Sequence, residues 1–124
     1  KIQQYIKDGM KGDLILIGGP ITSLPDNLTT VGGGLYLNNS KITKLPDNLT
    51  VEDNLNLFGT KITSLPDNLT VGGNLDLFGT RIILLPDNLS IRGYLDLNNT
   101  PLSKKYSKDE IRAMIPNVKG DIYL

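Results

Sequence analysis

A unit of twenty residues recurs along most of this chain. Residues 31–50, 51–70 and 71–90 read VGGGLYLNNSKITKLPDNLT, VEDNLNLFGTKITSLPDNLT and VGGNLDLFGTRIILLPDNLS. A fixed period of this length is typical of stacked repeats, in which one unit buries its apolar side chains only against its neighbours. The repeat therefore predicts a solenoid, and 124 residues suffice for one domain with its own core.

Each unit contains a short strand, marked by two leucines that are one residue apart. The alternation of buried and outward positions is the period-two pattern of a half-buried strand. Strands that recur every twenty residues cannot be neighbours in tight hairpins, so we expect the successive rungs of a parallel sheet. The pairs are Leu35/Leu37, Leu55/Leu57, Leu75/Leu77 and Leu95/Leu97, with Leu14/Leu16 one residue out of step and Ile122/Leu124 after a longer interval.

Two further columns of the repeat indicate turns. One column holds glycine in five of six units and aspartate in the sixth, which favours a left-handed backbone conformation. Its members are Gly12, Gly33, Asp53, Gly73, Gly93 and Gly120. The second signal is Leu-Pro-Asp-Asn at 24–27, 45–48, 65–68 and 85–88, where proline fixes φ and aspartate is expected to cap local amides.

The two ends differ from the middle. Ser107 and Glu110 form a capping-box pattern before a helix that Pro116 ends, and residues 2–6 predict a shorter helix. The expected domain is 1–124, with an N-terminal helical cap at 1–13, repeats at 14–103, and a C-terminal helical cap with the last rung at 104–124. The rung at Ile122–Leu124 has no successor, so its edge is a candidate site for a homo-oligomer.

The unit Leu-x-Leu-x-x-Thr-x-Ile-Thr-x-Leu-Pro-x-x-Leu resembles the leucine-rich-repeat superfamily. It is similar to the short bacterial subclass of type III effectors and to small repeat proteins of bacteria and phages. The resemblance implies a mainly β member of the α/β solenoid superfamily, right-handed, with about six parallel rungs and helical caps. It also implies protein binding, with binding or inhibition of a host protein as one form. The effectors' catalytic ligase domain has no counterpart here, and the family's asparagine is replaced by Gly19, Ser40, Thr60, Thr80 and Thr100.

Composition disfavours several classes of function. The chain has 13 basic and 13 acidic residues and neither histidine nor cysteine. Zero net charge argues against a nucleic-acid or anionic-membrane partner. The absent residue types remove disulfides, thiolate zinc sites and histidine-based nucleophile systems. We therefore expect a non-enzymatic protein with no cofactor and no metal, in a reducing, cytoplasmic compartment.

Function is expected on the outward face of the strands. Phe58 and Phe78, the only phenylalanines, share a column with Asn38 and Asn98, and a core position would not accept asparagine without partners. An exposed aromatic pair on adjacent rungs is typical of an interaction site. The predicted partner-binding face comprises Tyr36, Asn38, Asn56, Phe58, Asp76, Phe78, Asp96 and Asn98, with Lys41, Lys61 and Arg81 as a basic rim that steers an acidic partner.

Other interpretations of the same columns remain open. The aromatic rings could strengthen cross-strand packing alone, or a second copy of the chain could cover them. A small-ligand-binding sponge would need a pocket, formed by one chain or completed across a dimer. Aspartates on neighbouring rungs, at 26, 47, 67 and 87 or at 76 and 96, lie at about the 5 Å spacing of a retaining glycosidase. Nothing distinguishes an acid from a nucleophile among them, so an enzyme is the weakest of these interpretations.

Overall fold

The computed structural model, which describes residues 1–124, is a parallel β-solenoid with two sheets and three short helices. The six-stranded sheet contains β1 (Leu14–Ile15), β3 (Leu35–Tyr36), β5 (Leu55–Asn56), β7 (Leu75–Asp76), β9 (Leu95–Asp96) and β11 (Ile122–Tyr123). The five-stranded sheet contains β2 (Thr30–Val31), β4 (Thr50–Val51), β6 (Thr70–Val71), β8 (Ser90–Ile91) and β10 (Asn117–Val118). The helices are α1 (Ile2–Lys7), α2 (Pro101–Lys105) and α3 (Lys108–Met114). The solenoid prediction is confirmed.

Strand register follows the sequence repeat. Leu35 pairs with Leu55, and the same twenty-residue offset continues through Leu75 to Leu95. The irregular terminal units keep the register as well, because Leu14 pairs with Leu35 and Ile122 pairs with Leu95. Extra residues are therefore absorbed in the connections between strands.

The core consists of 28 buried apolar side chains in one continuous cluster. Leucines of the strands and aliphatic residues of the return path stack in columns, as expected for coils that bury nothing alone. Another column is polar: Thr60, Thr80 and Thr100 are buried, and each hydroxyl donates to the carbonyl of the residue three positions earlier, at 2.7–2.9 Å. These threonines close the turn within one rung.

The glycine column does not have the predicted left-handed conformation. Only Gly12 has a positive φ, 76°, whereas Gly33, Gly73, Gly93 and Gly120 do not. Glycine is favoured because backbone approaches backbone here: a Cβ on Gly120 would lie 2.6 Å from the carbonyl carbon of Gly93, although Asp53 shows that one rung of this column accepts a side chain. The column is thus set by packing between rungs.

Left-handed residues recur in another column, just beyond the strands, and also occur at Asn48 and Asn68 in the Leu-Pro-Asp-Asn turns. Gly18, Gly59 and Gly79 have φ of 67–71°, while Asn39 and Asn99 both have φ of 58°. Glycine and asparagine are the residues that adopt this conformation most readily. The position reverses the chain after each strand and holds only these two residue types, which explains its composition.

The Leu-Pro-Asp-Asn turns form, but their hydrogen bonds connect rungs more than they cap local amides. The side-chain Nδ2 of Asn68 donates to Asn48 Oδ1, and the side-chain Nδ2 of Asn88 donates to Asn68 Oδ1, both at 2.7 Å. The only aspartate of this column whose side chain is hydrogen-bonded, Asp47, accepts from the backbone of Asp67 on the next rung at 3.3 Å. An asparagine ladder therefore lines this edge, and the expectation of local aspartate caps is wrong.

Helical caps close both ends. Ser107 accepts from the Glu110 amide, and the Glu110 carboxylate accepts from the Ser107 amide, so the predicted capping box is present. A second capping box, between Thr100 and Ser103, begins α2, which sequence analysis did not identify. Helix α2 starts at Pro101, inside the segment assigned to repeats. Pro101 at N1 and Thr100 at the N-cap are the signal for it.

Candidate functional site

The outward side chains of the six-stranded sheet form two parallel rows on one open face. The strand row contains Ile15, Tyr36, Asn56, Asp76, Asp96 and Tyr123. The end row lies two residues further along each rung and contains Ile17, Asn38, Phe58, Phe78 and Asn98. All eight residues of the predicted partner-binding face lie in these two rows, on four consecutive rungs.

Phe58 and Phe78 lie outside the core and stack on one another. Their ring centroids are 5.1 Å apart and their planes are inclined by 5°. This separation matches the spacing of neighbouring strands, so the sheet itself places the rings in contact. Phe58 is 39% exposed and Phe78 is half-buried. Together they form a flat aromatic surface without a polar side chain between them.

A hydrogen bond at the end of each strand fixes the backbone that carries the end row. The amide of Phe58 donates to Asn56 Oδ1, and the amide of Phe78 donates to Asp76 Oδ1, each at 2.9 Å. Asp96 accepts from the Asn98 amide in the same way. The polar side chains of the strand row thus orient the aromatic pair, which restricts what the strand row can tolerate.

Tyr36 does not extend the aromatic pair. A Cβ on Gly34 would lie 2.6 Å from the hydroxyl and Cε2 of Tyr36, so this ring lies over the bare backbone of Gly34. Gly34 precedes Tyr36, whereas the end row follows it, and the ring therefore points away from Phe58. Asn38, next to the pair, keeps a buried Oδ1 without a hydrogen-bond partner. The apolar part of the predicted face is consequently smaller than the sequence suggested.

Asp76 and Asp96 give the face negative charge beside the aromatic pair. Partial burial raises the pKa of Asp76 above its ordinary value, the Phe78 amide opposes this rise, and the neighbouring Asp96 adds to it. Desolvation and a like charge both disfavour the carboxylate. A cationic group of a partner would offset both effects by favouring the charged form, so this end of the face favours a basic contact.

The charge on Asp76 gives a pH-dependent prediction. The folded state holds this proton more tightly than the unfolded chain because its pKa is raised, so stability falls as the pH rises between the two pKa values. The penalty is complete above the folded-state pKa and absent below the unfolded-state value. Asp76→Asn should therefore raise the free energy of unfolding by about 0.5 kcal/mol at pH 7, a figure reduced for solvent screening. The gain should vanish at a pH below the unfolded-state pKa, at about pH 3.

Urea unfolding at both pH values measures this effect. Asparagine preserves the acceptor for the Phe78 amide, as Asn56 does for Phe58. Asp87→Asn, at an exposed turn, is the matched control and should show no such pH-dependent gain. An equal gain for Asp76→Asn under acidic and neutral conditions would mean that its charge is not the cause.

The basic rim lies beyond the turn that follows the end row. Lys41, Lys61 and Arg81 are exposed and follow the left-handed turn and the buried hydroxyl column. A groove of about 340 Å³ between two rungs is lined by both lysines, Asn39, Ser40 and Gly59. The three cations lie on successive rungs, about 5 Å apart by strand spacing, and repel one another. An acidic group along this row would lower that repulsion.

A second exposed apolar pair has no counterpart among the predictions from the sequence. Ile83 and Leu84 are 56% and 65% exposed, more than any other large apolar side chain. The neighbouring rung has Thr63 and Ser64 at these positions, and the earlier rung has Thr43 and Lys44. A comparison of these columns would have revealed the exception. The pair follows the buried Ile82 on the return path, away from the open face.

The clefts of the structure lie away from the aromatic pair. The largest, about 550 Å³, lies beside α1 and is lined by residues that include Ile2, Leu16 and Ile21. None of the clefts is lined by Phe58 or Phe78, and no group of three acidic side chains is placed to hold a metal ion. The longest helix has seven residues, so no helix reaches the length that a bilayer crossing requires.

Comparisons of the chain with protein-family models, curated proteins and solved structures give no match. The resemblance to leucine-rich repeats therefore stays an expectation from the sequence. The open face carries an aromatic pair, two carboxylates and amides, and no cleft opens at the aromatic pair. Its shape suits contact with another macromolecular surface more than enclosure of a small ligand.

Proposed function

We propose that this protein is a non-enzymatic binding module of the leucine-rich-repeat type that captures another protein on the open face. The exposed, stacked pair of Phe58 and Phe78 carries the proposal. Interface hot spots are enriched in aromatic side chains near the centre of a contact, surrounded by polar groups. Here the aromatic pair has Asn38 and Asn98 on either side in its own row.

The charged side chains of the open face and of the basic rim indicate which charges the partner carries. Asp76 and Asp96 favour a cationic group beside the aromatic anchor. The basic rim favours acidic groups beyond the turn that follows the end row. Complementary charges of this kind mainly raise the association rate and select the partner. The partner surface we infer has an apolar centre, a basic side and an acidic side. A host protein bound by a bacterial or phage protein is one such partner.

A peptide-display selection tests the proposal even though the partner is unidentified. The wild-type chain alone is the bait, and the affinity of each selected peptide for the double variant Phe58→Ala, Phe78→Ala is measured afterwards. Peptides that survive should bind the double variant at least about 30-fold more weakly, the loss typical of two hot-spot contacts. The thermal midpoint should fall little, because a stacked pair contributes about 1 kcal/mol beyond area burial.

The chain offers a matched control in its other apolar pair. The variant Ile83→Ala, Leu84→Ala removes exposed aliphatic area from the return path and leaves the open face intact. It should bind the selected peptides as the wild type does. Loss of binding in this control alone would move the binding surface to the return path. A large loss of stability with unchanged binding in the phenylalanine variant would assign the rings to packing.

A further inference from the structure

One rung departs from the repeat at the point where the basic rim begins. Residues 38–40 read Asn-Asn-Ser, whereas the equivalent residues of the next two rungs read Phe-Gly-Thr. Ser40 belongs to the buried hydroxyl column and is 5% exposed. The hydroxyls of Thr60 and Thr80 each donate to a carbonyl of their own rung. Ser40 makes no such bond: its Oγ accepts from the Ile42 amide at 3.4 Å, and its proton is left free for another acceptor.

This free hydroxyl lines the groove of about 340 Å³ that lies beside the basic rim. The lining of the groove contains no carboxylate and no apolar side chain, and it consists of Asn39, Ser40, Lys41, Gly59 and Lys61. Among the basic side chains of the protein, only those of Lys1 and Arg112 make hydrogen bonds. The two lysines of the groove therefore have no bonded counter-charge.

The same place one rung further along has two cations but no groove. Arg81 lines none of the clefts, and nothing lies within 4 Å of a Cβ built on Gly79. At the groove, by contrast, the Asn39 side chain lies against Gly59, where a Cβ would overlap its Oδ1. The groove is thus formed by the departure of one rung from the repeat, and the basic row alone does not produce it.

The donors of the groove match one kind of anion. The two ammonium groups lie on adjacent rungs, about 5 Å apart by strand spacing, so they repel one another. A single carboxylate would offset one of these charges and leave the other. A phosphate monoester carries about two negative charges at pH 7 and three strong acceptor oxygens, and lysine binds such groups as a point charge.

We propose that this groove binds the dianionic phosphoryl group of a phosphate monoester. Lys41 and Lys61 each donate to a terminal oxygen, and the Ser40 hydroxyl donates to the third. The lysines supply the charge, and the buried hydroxyl supplies a fixed direction, because its own rung holds it in place. The site does not include Phe58 or Phe78, so it is separate from the proposed binding function of the open face.

An NMR titration of the full chain with N-acetylphosphoserine amide, a blocked probe without other charges, tests the site. We expect a dissociation constant on the order of 1 mM, with the shifts concentrated at residues 39–41 and 59–61. Blocked serine should not bind, and blocked aspartate should bind about 10-fold more weakly because it has one charge and two oxygens. Shifts spread over the whole basic face, or equal affinity for aspartate, would overturn the proposal.

A second arm of the titration distinguishes the sources of the phosphoryl group. Glycerol 3-phosphate presents the same dianion on a small molecule, so it should shift the same residues. Tighter binding of phosphoserine would identify a phosphorylated side chain as the natural ligand, and tighter binding of glycerol 3-phosphate would identify a small ester. Both results support the site, whereas failure of both esters to bind contradicts it.

The affinity for phosphoserine should depend on the pH of the solution. Its phosphoryl group loses the second proton at about pH 6, so the affinity should fall about 10-fold between about pH 7.5 and pH 5 if the dianion binds. Lys41 and Lys61 are the titratable groups that line the groove. Sulfate remains a dianion throughout this range and is the control, which should show no comparable fall. Equal pH dependence of the two anions would place its cause in the protein and contradict the proposal.

Two substitutions in the basic row separate the groove from a diffuse positive field. Lys61→Gln should weaken phosphoserine binding about 10-fold, the loss of one charged hydrogen bond. Arg81→Gln is the matched control, since it removes the same charge from the next rung but touches no groove. It should weaken binding by less than about 2-fold, as expected of an exposed charge that makes no contact. Equal losses in the two variants would overturn the site.

Ser40→Thr tests the buried hydroxyl. Threonine is the residue of this column in three other rungs, where its hydroxyl donates to the carbonyl three positions earlier, so the fold should be retained. We expect the new hydroxyl to make this bond to the Leu37 carbonyl and phosphoserine binding to weaken about 10-fold. An unchanged thermal midpoint confirms that the loss is local. Unchanged binding in this variant and in Ser40→Ala would exclude the hydroxyl from the site. The variant Phe58→Ala, Phe78→Ala should bind phosphoserine as the wild type does, which keeps this test independent of the proposed function.

Discussion

Replacement of Gly93 by alanine is expected to lower the free energy of unfolding by about 3 kcal/mol and the thermal midpoint by about 10 °C. A Cβ at this position would overlap Asn74 Oδ1 and lie 2.8 Å from the Gly73 carbonyl oxygen. Asn74 Oδ1 already accepts from the Tyr94 amide at 2.9 Å. Alanine would therefore push two rungs apart and break a hydrogen bond between them. Thermal and urea unfolding followed by circular dichroism measure the loss.

Gly79→Asn is the control for this prediction. Gly79 has a φ of 71° with nothing within 4 Å of a Cβ, and the same column already holds Asn39 and Asn99 at a φ of 58°. Its stability should stay within about 0.5 kcal/mol of the wild type, because asparagine tolerates this conformation. If the two variants lose equal stability, close approach between rungs is not what requires glycine at position 93.

Leu77→Ala is expected to have a comparable or larger effect, a loss of about 3–4 kcal/mol. Leu77 is fully buried, and its column continues through Leu57 and Leu97 on the neighbouring rungs. Truncation removes the transfer free energy of the side chain and leaves a cavity that fixed strand spacing prevents from collapsing. The midpoint of urea unfolding should fall accordingly, with an unchanged slope if the solenoid still unfolds as one unit.

Leu84→Ala controls for residue type on the same solenoid. Leu84 is 65% exposed, so its replacement should change stability by less than about 0.5 kcal/mol. A reduced slope for Leu77→Ala would show that the cavity separates the solenoid into parts that unfold independently, as linear repeat arrays can. Equal effects of the two substitutions would contradict the assignment of Leu77 to the core.

Strand periodicity made most of the fold predictable. Several local signals agree with one fold. These are the Leu-x-Leu pairs, the turn signals and the Ser107 capping box, each of which indicates a local structure that is consistent with stacked coils. Helix α2 was missed because its signal, Thr100 before Pro101, coincides with the threonine column of the repeat. Thr100 therefore has two roles: it closes the turn after its strand, as the other threonines of the column do, and it is the N-cap of α2.

The candidate site was predictable in location but not in shape. Column composition correctly placed Phe58 and Phe78 outside the core, because asparagine shares their column. Composition could not show that Tyr36 lies over Gly34, since a ring direction depends on which neighbour leaves space. Whether this face binds a protein remains a prediction, and the exposed Ile83–Leu84 pair provides the contrast that tests it.

The sequence by itself determined the period, the strands and the buried columns, because a repeat of twenty residues forces equivalent positions to stack. Only the tertiary structure shows which physical constraint selects the residue type in each column of the repeat. Glycine at 93 is favoured by the close approach of the neighbouring rung, whereas glycine at 79 is favoured by its own φ of 71°, which asparagine also adopts in this column. The sequence shows glycine at both positions. Contact between rungs distinguishes them, and such contact leaves no local pattern in the sequence.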